Sequence, residues 1–107
     1  MPAYEAARRP THHYETRSAE RALPSDVEDF LLMWGTDTRA AGATHITLVR
    51  RHLPIELQDS KAATRAEGWI IVMGDDGSLI TCYRRTDAWR FVRRKSQLRP
   101  RRRSRKN

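Results

Sequence analysis

The chain has 107 residues, 38% hydrophobic and 32% charged, which is enough for one small core and too few for two. That length excludes a TIM barrel or a doubly wound dinucleotide-binding fold. A net charge of +8 favours a polyanionic partner over a cationic one.

Residues 1–22 are polar and hold Pro2, Pro10 and the pair His12-His13, which predicts an N-terminal arm, in part helical. Adjacent histidines project in different directions, whereas structural zinc takes four convergent ligands. No apolar run at this end has the length of a secretory signal. The longest apolar runs, Phe30–Trp34 and Trp69–Met73, fall far short of the roughly 20 residues that span a bilayer. A cytoplasmic protein that makes no membrane contact is expected.

Pro24-Ser25-Asp26-Val27-Glu28 has the form of a capping box, with Ser25 as N-cap and Glu28 three residues on. Val27, Phe30, Leu31 and Trp34 follow at i, i+3, i+4 and i+7, the apolar face of a helix that Gly35 ends. Thr36–Gly42 reads as a polar loop. Thr44–Arg51 is rich in β-branched residues and predicts a strand, limited by Pro54. Ile55–Glu67 carries Ala62, Ala63 and Ala66, a weak sign of a short helix.

Two strands, Trp69–Met73 and Ser78–Arg84, flank Gly74-Asp75-Asp76-Gly77, a strong hairpin signal. Asp75 and Asp76 read as turn residues because the spacing of a calcium loop is missing. Thr86–Lys95 suits a helix capped by Thr86 or Asp87, and a strand almost as well. The order predicts an α+β fold: a small, mostly antiparallel sheet with one or two helices packed on one face and a basic C-terminal tail. The domain is expected over residues 23–95 and a flexible tail over 96–107.

Cys82 is the only cysteine, so no intrachain disulfide forms, and its apolar surroundings predict a buried thiol. Residues 82–107 carry twelve Arg and Lys against the single acid Asp87, a net +11 that leaves −3 on residues 1–81. The nucleic-acid-binding candidates are therefore Arg85, Arg90, Arg93, Arg94, Lys95, Arg99, Arg101, Arg102, Arg103, Arg105 and Lys106. Arginine dominates, and its planar fork grips phosphate. A solubilising tail is the plain alternative for residues 99–107. There is no phosphate-binding glycine loop, nucleophile elbow or His-Glu-x-x-His motif, so neither cofactor nor metal is expected.

One chemistry needs no such signature. In metal-independent RNA cleavage the 2′-hydroxyl attacks the adjacent phosphate, and the protein supplies a base, an acid and positive charge. The candidates are His45 and Arg51 on one strand, with Tyr83 and Arg84 at the exit of the hairpin. Arg84 and Arg85 alternate along the strand, so at most one of them reaches a shared site.

Gly68-Trp69-Ile70-Ile71-Val72, followed by Asp76-Gly77-Ser78-Leu79-Ile80-Thr81-Cys82-Tyr83-Arg84-Arg85, resembles the closing hairpin of small RelE-like proteins. These belong to the barnase, colicin and RelE group of ribonuclease folds. The resemblance implies toxin-like RNA cleavage or ribosome association, with RNA or the ribosome as partner and an antitoxin as an acidic protein partner. Many relatives place a histidine and an alanine before the first helix, where this chain has Ser18-Ala19, so His13 or His45 would have to substitute. Fold alone confers no activity. Three readings follow. The first is an RNA-binding protein with ribonuclease activity. The second is a noncatalytic nucleic-acid- or ribosome-binding module in which Trp89, Phe91 and Tyr83 stack on bases. The third is an interaction module that docks on an acidic protein.

Overall fold

Thr11 is extended, and its hydroxyl accepts the Tyr14 N–H at 3.1 Å, so helix α1 (His12–Arg21) starts with a side-chain cap. The computed structural model describes residues 11–97, and this cap lies at their N-terminal limit. The Thr11 N–H also donates to the Leu79 carbonyl at 2.9 Å, tying the helix to a strand distant in sequence. Tyr14 is only 2% exposed and belongs to the main core. From Thr11 onward the expected arm is thus a docked helix, part of one body with the rest. One aromatic anchor on a polar helix does this, and a single anchor leaves no periodic signal.

Helix α2 (Ser25–Trp34) begins after Pro24, which is its N-cap and has no side-chain hydrogen bond. The Ser25–Glu28 capping box is not formed, because Ser25 already lies inside the helix. Pro24 instead fixes an extended entry. Val27 and Leu31 are buried and Phe30 packs beside them, while Trp34 at the helix end is exposed. Gly35 ends the helix in an extended conformation, its N–H donating to the Leu31 carbonyl at 2.7 Å.

The segment expected to be a polar loop is strand β1 (Thr36–Ala40), turned through Ala41-Gly42 into β2 (Ala43–Thr47). Both turn residues have positive φ, 52° and 79°, which suits a tight hairpin. β1 lies at the sheet edge, where Asp37 and Arg39 face water, so its polarity hid it. β2 is shorter than expected, and Arg50–His52 form a 3-10 turn instead of continuing it. The Arg50 guanidinium holds this turn by donating to the Gln58 carbonyl, to Thr64 Oγ1 at 3.1 Å and to the Glu67 carboxylate at 3.2 Å.

A second 3-10 turn (Ile55–Leu57) leads to helix α3 (Lys61–Ala66), capped by the Ser60 hydroxyl, with Ala63 and Ala66 fully buried. Strands β3 (Trp69–Met73) and β4 (Leu79–Arg84) form the expected hairpin. In its turn Asp76 accepts the Ser78 N–H at 2.9 Å, and Asp75 pairs with Arg39. Helix α4 (Ala88–Gln97) follows, settling the ambiguity over residues 86–95 in favour of a helix.

The fold is α+β. Its sheet is fully antiparallel in the order β1-β2-β3-β4. Ile46, Trp69, Ile71, Met73, Leu79 and Cys82 face helices α1, α2 and α3 in the larger core. Ala43, Ile70 and Val72 face α4, through Ala88 and Val92, in a smaller one. β3 is buried along its whole length, which is why it reads as an unbroken apolar run. Replacing Tyr14 with Ala should lower the unfolding free energy by about 3–5 kcal/mol in urea titrations, the usual cost of deleting a buried aromatic. A detached arm would leave it unchanged.

Candidate nucleic-acid interface

The basic end of the chain is organised where β4 passes into α4. Arg84 and Arg85 diverge, as alternation along a strand requires. The Arg84 guanidinium lies 5.6 Å from the centre of the Trp69 ring, on the side of the larger core. That of Arg85 lies 4.0 Å from the centre of Phe91, and its Nε donates to Asp87 at 2.8 Å. The pairing lowers the Asp87 pKa from its ordinary value, chiefly through that hydrogen bond. The Asp87 carbonyl then accepts the Phe91 N–H at 2.8 Å and opens α4.

Along α4, Ala88 and Val92 turn inward, so Arg90, Arg93 and Arg94 fall on the opposite side at i, i+3 and i+4. All three are exposed. None is in an ion pair within 4 Å among the described residues. Lys95 is half-buried, its ammonium 5.6 Å from the Phe91 ring centre. The candidates Arg99, Arg101, Arg102, Arg103, Arg105 and Lys106 lie outside the described residues, as does the expected tail they belong to.

The four residues singled out for catalysis are spread over three surfaces. His45 and Tyr83 share the sheet face that α4 covers, with β3 between their strands. His45 is 2% exposed, and its Nδ1 has no hydrogen-bond partner. Burial, and secondarily the Lys95 charge, lowers its pKa below the ordinary imidazole value. Tyr83 packs edge-on against Phe91 at 6.1 Å between ring centres, and burial raises its phenol pKa. Arg84 is on the opposite side, and Arg51 is exposed on the 3-10 turn rather than on a strand. The expected convergence of these groups does not occur, because α4 occupies the face where they would have met.

Cys82 is fully buried in the larger core, and burial pushes its thiol pKa up, so it packs as a small apolar group. One polar contact escaped the sequence reading. His52 Nδ1 sits 2.7 Å from Thr36 Oγ1, and the ring meets Trp89 edge-on at 6.2 Å between centres. The three residues come from separate elements, and nothing in their spacing signals contact. Among the described residues no group of three or more His, Cys, Asp or Glu is placed to hold a metal ion, and no helix is long and apolar enough to cross a membrane.

Fold and surface together define a class: a small α+β domain that lays a basic amphipathic helix across an antiparallel sheet. No known protein family, curated protein or solved structure matches the chain.

His45 must be neutral to remain beneath α4. Its folded pKa is below the unfolded value of about 6.5, so its contribution to stability is complete above that pH and declines as pH falls through the folded pKa. Unfolding titrations at pH 7 and pH 5 should show a larger loss of stability for the native chain than for His45→Gln. Equal losses would mean that the imidazole titrates as it does in water.

Proposed function

We propose that this protein binds RNA through the outward face of α4, with the arginine-rich C-terminal segment adding to the same contact. The observation that carries the reading is the stripe of Arg90, Arg93 and Arg94, exposed on one helix face and in no ion pair among the described residues. A helix surface of this kind tracks a phosphate backbone, and each phosphate neutralised releases counterions. The excess of +11 over residues 82–107 supports a polyanion as the partner. The choice of RNA over DNA rests on the resemblance of residues 68–85 to the closing hairpin of RelE-like proteins.

The reading is one of binding rather than cleavage. A general base must reach the 2′-hydroxyl, and His45 lies sealed between sheet and helix. An acidic protein is the competing partner, and salt dependence combined with polyanion choice separates the two.

Changing Arg90, Arg93 and Arg94 together to Gln leaves the buried face of α4 untouched. In fluorescence anisotropy titrations with a labelled RNA, the variant should bind at least about tenfold more weakly near 0.1 M salt. The slope of log affinity against log salt should also shrink by about two to three. An unchanged slope would place the contact elsewhere. Equal binding of the native chain to polyglutamate would favour the acidic protein partner.

A further inference from the structure

Where β3 begins and β4 ends, two open concavities of about 340 and 570 Å3 share Glu67, Gly68 and Thr86 in their walls and so form one groove. Gly68 is its floor. Its φ is +94°, its carbonyl accepts the Arg85 N–H at 2.8 Å, and a Cβ there would come within 3.1 Å of the Arg85 carbonyl. A side chain at this position would strain the backbone and narrow the groove.

The two carboxylates in the walls are already matched. Glu67 is bonded to Arg50 at 3.2 and 3.3 Å, and Asp87 to Arg85 at 2.8 and 3.3 Å. That leaves Arg84, its guanidinium over the Trp69 ring, in the larger concavity and Arg90 in the smaller one, neither in an ion pair among the described residues. The opening turn of α4 adds backbone N–H groups that have no intrahelical acceptor. Trp89 completes the wall, and the His52 ring, itself hydrogen-bonded to Thr36, braces its indole. An anion site flanked by an aromatic wall is the chemistry of a nucleotide, with phosphate on the guanidinium groups and base on the indole.

We propose that this groove takes one unpaired nucleotide of a bound RNA, its base against Trp89, with Arg90 on one flanking phosphate and Arg84 on the next along the strand, so that the protein selects single-stranded over duplex RNA. The inference rests on the RNA-binding reading and adds a subsite and a strand preference to it. A duplex keeps its bases stacked inside and presents no free ring to Trp89, whereas the stripe on α4 serves either form.

The test compares a labelled single-stranded 12-nucleotide RNA without self-complementarity against a duplex of the same length, using the full chain and anisotropy at fixed salt. The native chain should prefer the single strand by about tenfold. Trp89→Leu should lose that preference and bind the duplex as before. Arg84→Ala, at an exposed position whose guanidinium meets the domain over the Trp69 ring, should weaken single-strand binding several-fold. Thermal melting checks that both variants fold, and if Trp89→Leu does not, Arg84→Ala decides. Equal native affinity for the two RNAs, or native-like single-strand binding by the folded variants, would overturn the groove while leaving the α4 interface standing. Failure of the native chain to bind either RNA would overturn both.

Discussion

Strand β3 is five apolar side chains long and lies inside the sheet, so both of its faces have to be shielded from water. Helices α1, α2 and α3 shield the face of Trp69, Ile71 and Met73. Among the described residues, α4 alone shields that of Ile70 and Val72. This requirement turns Ala88 and Val92 inward and thereby sets the direction of every other side chain on α4. The arginines point outward because the small apolar residues must point in. The candidate interface is the reverse side of a packing constraint.

The two layers differ in quality. The larger core joins side chains from three helices and the sheet, among them the fully buried Leu31, Ile71 and Cys82. Beneath α4 the sheet presents His45 and Thr47, both buried, and neither His45 Nδ1 nor Thr47 Oγ1 has a hydrogen-bond partner. Unpaired buried polar atoms cost about 1–3 kcal/mol each. Tyr14 in the larger core carries a related cost, since burial, reinforced by the Glu28 charge, raises its phenol pKa.

Four acidic residues pair with arginines within the domain. Asp26 pairs with Arg65, Asp75 with Arg39, Glu67 with Arg50 and Asp87 with Arg85. Surface pairs of this kind add little to stability. Their larger effect is on charge distribution, because they match arginines in the body of the domain, while the stripe on α4 has no ion pair among the described residues. Local matching thus concentrates the positive potential on one side, where a polyanion can meet it.

The sequence by itself determined the α+β class, helix α2, the β3–β4 hairpin and the concentration of charge at the C-terminal end. Each is a local signal: an apolar period, an Asp-Gly turn between β-rich runs, a count of arginines. It did not determine that α1 docks, that Thr36–Ala40 is a strand, or that Arg50–His52 leave the sheet. Those outcomes depend on Tyr14 entering a core built by distant segments, on β1 borrowing the hydrogen bonds of β2, and on Arg50 reaching Gln58, Thr64 and Glu67. The burial of His45 was equally hidden, since nothing in its neighbours says that α4 will lie over it. Which residues meet across the sheet, and which arginines remain without a partner, was decided only when the chain closed on itself, because side-chain contacts between remote segments follow from packing and leave no period in the sequence.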